Sequence, residues 1–125
     1  MRSRLLAGLL VVATLTSATP LLAHHSFAMF DREKQVTLQG EVVELQWTNP
    51  HIWIELGVVE NGKTVTYSLE GASPNALARR GWKRTTLKPG MKISVVMNPL
   101  KSGGHGGAFV RATLPDGTTV SNSAN

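Results

Sequence analysis

Residues 52–70 of the chain read IWIELGVVENGKTVTYSLE, and this stretch decides the fold. On both sides of Asn61-Gly62, apolar residues alternate with polar ones, which is the period of a strand with one buried face. Asn-Gly between two alternating runs is the strongest short signal for a two-residue hairpin turn. The sequence therefore predicts two antiparallel strands, at residues 51–60 and 63–70, joined by this turn.

The other elements follow from the same patterns on either side of the hairpin. An alternating run at residues 36–45 predicts a first strand, with a bend at Gly40. Ser73-Pro74 has the residue types of a helix cap and first helical position, and Gly81 ends this short helix. Further strands are predicted at residues 91–100, 108–114 and 118–120.

This order of elements is typical of one small all-β architecture. Three strands, a short helix and two further strands describe a Greek-key barrel of the OB type, with the helix between the third and fourth strands. We therefore expect an all-β chain with one short helix, folded as a five- to six-stranded OB-like barrel. A plain antiparallel sandwich is the alternative fold. One domain, residues 24–125, accounts for all of these elements.

The amino-terminal residues have the composition of a secretory signal peptide. Two arginines precede an apolar stretch, and small residues lead to Ala23. The stretch is too short for a bilayer, which needs roughly 20 apolar residues. We expect cleavage after Ala23, although Leu21 is not the ideal small residue, so a cut one or two residues away stays open. An uncleaved anchor is the alternative. Cleavage of residues 1–23 predicts a periplasmic or secreted protein with no transmembrane segment.

Charge and cysteine content narrow the function classes. Cleavage removes two arginines, which lowers the formal net charge from +5 to +3, so we expect no nucleic-acid partner. The chain has no cysteine, which excludes thiolate metal sites and cysteine nucleophiles. Methionines at 29, 91 and 97 could bind Cu(I), but two of them have the spacing of core residues. No carboxylate spacing demands acid–base catalysis, so we do not expect an enzyme.

The histidines carry the main functional hypothesis. If cleavage follows Ala23, His24 becomes the first residue, and its α-amine and Nδ1 can chelate one ion. This nitrogen pair suits copper(II), and also nickel or zinc. His25 is the next residue. A second imidazole could come from His51, between the first two strands, or from His105, between the fourth and fifth, because these connections are the ligand-binding loops of OB barrels.

Each histidine also has an ordinary structural interpretation. His24 and His25 could belong to a frayed polar terminus, His51 could cap a turn, and His105 could be solvated in a glycine-rich loop. Residues 24–34 span at most about 36 Å when extended, so either loop is within reach.

The second functional hypothesis is an interaction module without a metal. Trp47, Trp53 and Trp82 could form an aromatic face on the barrel that binds a partner protein, a glycan or a lipid. The basic cluster RRGWKR, residues 79–84, could meet phosphate-rich lipid or form a solvated face.

The segments AHHSFAMFD, VTLQGEVVELQWTNPHIWIEL, LKPG and ATLPDGT resemble a family of small exported bacterial proteins, domain of unknown function 6152. The resemblance covers nearly the whole chain after residue 23. It implies a periplasmic barrel and no particular activity. The order of elements is also broadly similar to that of small periplasmic copper chaperones with OB barrels, a similarity that concerns the fold alone.

Overall fold

The computed structural model describes residues 27–124, which form a β-rich fold with one short helix. In chain order the elements are a 3₁₀ turn Phe27–Met29, β1 Val36–Gln46, β2 Trp53–Glu60, β3 Lys63–Glu70, α1 Pro74–Arg79, β4 Lys92–Pro99, β5 Gly106–Thr113 and β6 Thr119–Ser121. The predicted order of elements is confirmed. β2 begins two residues later than predicted, and β5 begins two residues earlier.

The strands close into a barrel. Their order in the sheet is β3-β2-β1-β4-β5-β6, and β3 also pairs with β5 in parallel, so five strands form a closed ring. β6 is an extra strand that pairs with β5 alone. The OB-like barrel predicted from the order of elements is confirmed, and the sandwich alternative is not observed.

β1 is long because it pairs with two different strands in succession. Its first half pairs with β4, and its second half, from Glu41 onward, pairs with β2. A register shift falls between Val42 and Glu44, so the irregularity lies three residues beyond the predicted bend at Gly40. Gly40 is needed for a different reason: a Cβ there would lie 2.7 Å from the carbonyl oxygen of Gly57.

The core fills the barrel and continues under α1. The Ser73 side chain caps α1 by accepting a hydrogen bond from the Ala76 amide. Trp82 is buried, donates its indole N–H to the Ser121 carbonyl oxygen at 3.1 Å, and meets Phe109 edge-on. The largest fully buried side chains come from every long strand, from α1 and, for Ile52 and Leu87, from connections: Val42, Ile52, Ile54, Leu56, Leu69, Leu77, Leu87, Val95 and Phe109. One continuous core therefore joins the helix to the barrel.

A search of residues 27–124 for a helix long and apolar enough to cross a membrane finds none.

Candidate functional site

The β2–β3 hairpin brings Glu60 and Tyr67 together at one end of the barrel. The two-residue turn pairs Leu56 with Tyr67, so Tyr67 lies on the inner face of the sheet, as Glu60 does by alternation. The Tyr67 hydroxyl donates a hydrogen bond of 2.5 Å to Oε1 of Glu60. One carboxylate oxygen of Glu60 is thereby fixed, while the other stays available to a second group.

His105 supplies that second group from the β4–β5 connection. Its Nε2 lies 3.4 Å from Oε2 of Glu60, and its ring meets Tyr67 edge-on with the centroids 5.0 Å apart. Its carbonyl oxygen accepts a hydrogen bond from the Ser68 amide, directly before the parallel pairing of β3 with β5. Glu60, Tyr67 and His105 form one group, which we call the His105 cluster. About half of the His105 side chain is exposed, so a ligand can reach it.

The protonation of Tyr67 follows from this arrangement. The hydrogen bond to Glu60, together with burial and the carboxylate charge, raises the pKa of Tyr67 above its ordinary value of 10.0. The phenol therefore stays protonated at neutral pH and acts as a donor. It holds Glu60 in place and leaves Oε2 facing His105.

His51 has a separate carboxylate partner. Its Nδ1 lies 2.6 Å from Oε1 of Glu70, whose side chain is only 12% exposed. Pairing of Trp53 with Glu70 places this contact on the outer face of β3, whereas Tyr67 lies on the inner face. The two loop histidines thus contact different carboxylates, Glu60 on the inner face of β2 and Glu70 on the outer face of β3. His51 and His105 each contact their own carboxylate, and their two rings do not lie in one cluster.

The other two predicted site residues, His24 and His25, lie outside the described residues. Within residues 27–124 there is no group of three or more histidine, aspartate, glutamate or cysteine side chains that could hold a metal ion. The His105 cluster contributes two side chains that can bind a metal, those of Glu60 and His105. A metal site there needs at least one further ligand.

The lead-in, residues 27–35, is attached to the strand that enters the His105 loop. Phe30 forms an antiparallel bridge with Leu100, and the Lys101 amide donates to the Met29 carbonyl oxygen at 2.9 Å. A 3₁₀ turn, Phe27–Met29, directly precedes this bridge, so the described lead-in begins beside Leu100 and Lys101. Leu100 and Lys101 are the first residues of the connection that carries His105.

The tryptophans proposed for an aromatic face occupy different environments. Trp82 is 4% exposed and belongs to the core, so it offers no surface to a partner. Trp47 is half-buried against the core. Trp53 is half-buried on the outer face of β2, next to Glu70 on one side and Gln46 on the other.

The methionines proposed as soft ligands are also dispersed. Met97 is buried in the core, and Met91 packs against the core while its sulfur accepts a hydrogen bond from the Lys88 amide. Met29 is exposed in the lead-in. The core assignment predicted for Met97 is confirmed.

Sequence reasoning missed Glu60, Tyr67 and Glu70, although the hairpin contained the signal for them. With a two-residue turn at Asn61-Gly62, the pairing of every residue in the two strands is determined. Counting outward from the turn places Glu60 and Tyr67 on one face, and Glu70 on the other.

Comparison with known proteins gives a family and no activity. No curated protein and no solved structure matches the chain. The sequence pattern of a family of unknown function, DUF6152, matches residues 11–111, a range that contains all four histidines. This match covers most of the chain, so the chain belongs to the DUF6152 family.

Proposed function

We propose that the protein is an exported binding domain that captures copper, or another divalent ion such as nickel or zinc, through an amino-terminal His24. Cleavage after Ala23 frees the α-amine, which chelates the ion together with Nδ1 of the same residue. His105 supplies the second imidazole and Glu60 a carboxylate oxygen, while His25 assists from the adjacent position without binding the ion. His51 stays with Glu70 and is not a ligand.

The observation that carries this proposal is the path of the lead-in. Its pairing with Leu100 and Lys101 fixes Met29 and Phe30 at the start of the connection that holds His105. His24 lies five residues before Met29, which is a span of at most about 18 Å. The same pairing favours His105 over His51 as the second imidazole.

The spacing within the His105 cluster also supports the proposal. Ligand atoms in a tetrahedral site, the geometry of zinc, lie about 2.0–2.2 Å from the ion, so two such atoms are about 3.3–3.6 Å apart. Nε2 of His105 and Oε2 of Glu60 are 3.4 Å apart. This pair fits a tetrahedral ion such as zinc, and its atoms would approach by about half an ångström to hold adjacent positions around square-planar copper(II). The chelate at His24 would complete four ligands.

The test is a copper titration of protein that begins at His24, as verified by mass spectrometry. His105→Ala should lower copper affinity by more than about tenfold, because even indirect partners of metal ligands contribute that much. A protein whose α-amine is acetylated should lose affinity by a similar factor, because acetylation abolishes the six-membered chelate of the amine and Nδ1. Repeating the titration with nickel and zinc establishes the preferred ion, for which the general order of affinity favours copper.

His51→Ala is the matched control, because it also removes an imidazole that contacts a carboxylate. Its copper affinity should equal that of the parent protein. Equal copper affinities for the acetylated protein and the parent would show that the α-amine is not a ligand. Loss of copper affinity in His51→Ala but not in His105→Ala would show that the ion binds at the β1–β2 connection, which carries His51.

A second candidate function, an interaction module without a metal, rests on Trp53. This half-buried indole lies on the outer face in a row of polar groups, in which the Ser68 hydroxyl donates to Oε2 of Glu55 at 2.7 Å. Stacking of an indole beside hydrogen-bonding groups is suited to a glycan or to a partner protein. Pull-down of periplasmic proteins and glycan-array binding, each compared with a Trp53→Gln variant, would test this candidate.

A further inference from the structure

Charge is segregated along the chain. Residues 71–115 contain eight lysines and arginines and no aspartate or glutamate, whereas residues 36–70 contain five glutamates and a single lysine. The cationic half includes α1 and the connection to β4, and the anionic half is β1 to β3. A net charge of +3 for residues 24–125 therefore conceals a strongly basic region.

Five of these cations fall within ten residues, 79–88, which we call the basic segment. All five side chains are exposed: Arg79, Arg80, Lys83, Arg84 and Lys88. Within residues 27–124, none of the five forms an ion pair, and Arg80 differs from the other four by donating a hydrogen bond to a backbone carbonyl oxygen. Since no carboxylate neutralises them, their charges add into one positive potential at the surface.

The basic segment is held rigidly to the barrel. The buried indole of Trp82 lies in its middle, and Leu87 is buried near its end. The Arg80 guanidinium donates to the Asn122 carbonyl oxygen, and a turn links the Thr86 amide to the Lys83 carbonyl oxygen. The cations are thus presented on a fixed backbone, and little order has to be imposed when a partner binds.

We propose that the basic segment docks the protein on anionic phospholipid bilayers. A surface of dense phosphate charge complements four unpaired cations, and each lysine or arginine near such a surface strengthens binding about fivefold. Docking is peripheral and electrostatic, because the only large apolar side chains in the segment, Trp82 and Leu87, are buried in the core. The interaction therefore weakens as salt concentration rises.

The test is co-sedimentation with vesicles of phosphatidylglycerol and phosphatidylcholine, compared with vesicles of phosphatidylcholine alone. We expect binding to the anionic vesicles only, and loss of this binding at high salt. Replacing Arg79, Lys83, Arg84 and Lys88 by glutamine should lower the partition coefficient several hundredfold, as roughly four fivefold effects multiplied. Arg80 is left unchanged because it ties the segment to the carboxyl-terminal residues.

The matched control carries the same change of charge elsewhere: Lys34, Lys63, Lys101 and Arg111, all exposed, replaced by glutamine. It should retain most of the binding, because these cations are outside the basic segment. If the first variant fails to fold, Lys83→Gln and Arg84→Gln alone should each lower binding about fivefold. Equal losses of vesicle binding in the two quadruple variants, or equal binding of the parent protein to both kinds of vesicle, would overturn the proposal. So would binding to a short DNA duplex without binding to anionic vesicles.

Discussion

At the scale of single residues, the protein links each loop histidine to one glutamate. Glu60 receives a hydrogen bond from Tyr67 and faces His105, while Glu70 binds His51. Residue type and spacing along the chain predicted the histidines as candidates. Residue type and spacing did not predict the glutamates that the histidines contact, because those contacts depend on cross-strand pairing. The pairing emerges only when residues are counted outward from the turn.

Tyr67 provides the first prediction, and it is the only tyrosine of the chain. In the metal-free protein, absorbance titration of the phenol should give a pKa above 10.0, because Glu60 accepts a hydrogen bond from the phenol and its charge repels the phenolate. Glu60→Gln should move the pKa of Tyr67 back toward that value. Glu55→Gln is the control, because Glu55 bonds Ser68 on the other face.

The same shift in pKa has a consequence for stability. Because the folded state raises the pKa of Tyr67, its hydrogen bond contributes fully to stability below the unfolded pKa of about 10. That contribution is lost as pH rises through the higher pKa of the folded state. A Tyr67 that titrates at or below 10.0 in the folded protein would contradict the geometry of the His105 cluster.

At the scale of elements, local patterns predicted most of the secondary structure. The Asn61-Gly62 hairpin and the Ser73-Pro74 helix start appear where their residue types indicate, because both depend on neighbouring residues alone. The bulge at Val43 was not predictable in this way. It occurs close to the point where β1 changes partner from β4 to β2, and that change is a property of the barrel.

The second prediction concerns the cap of α1. Ser73→Ala should lower the free energy of unfolding by about 1 kcal/mol, because the Ala76 amide loses its acceptor. Urea denaturation followed by tryptophan fluorescence measures this change. Ser73→Asp should retain most of the stability because aspartate also caps helices well. A loss as large in Ser73→Asp as in Ser73→Ala would show that capping is not what Ser73 contributes.

At the scale of the whole molecule, parallel pairing of β3 with β5 closes the barrel and forms the base of the His105 cluster. Gly107 lies at this junction, between Leu69 of β3 and Pro99 of β4. A Cβ at this position would lie 2.5 Å from the Asn98 carbonyl oxygen and 2.6 Å from the Met97 sulfur. Closure therefore requires a residue without a side chain here.

The third prediction follows from this close approach. Gly107→Ala should destabilise the protein by about 1–3 kcal/mol, the usual range for overpacking. Hydrogen exchange should show faster exchange of the Ser68 amide, which donates to His105 across the junction. Gly104→Ala is the control, because its nearest added contact is an ordinary 3.4 Å. If exchange of the Ser68 amide is unchanged in Gly107→Ala, barrel closure at Gly107 does not determine the position of His105.

The central claim is that one ion binds both the amino-terminal residue and the loop that the lead-in approaches. Pulsed electron paramagnetic resonance of the protein beginning at His24, loaded with one equivalent of copper(II), counts the imidazoles bound to that ion. We predict two imidazoles in the parent protein and in His51→Ala, and a single imidazole in His105→Ala. Two imidazoles in His105→Ala, or a single one in the parent protein, would contradict the claim.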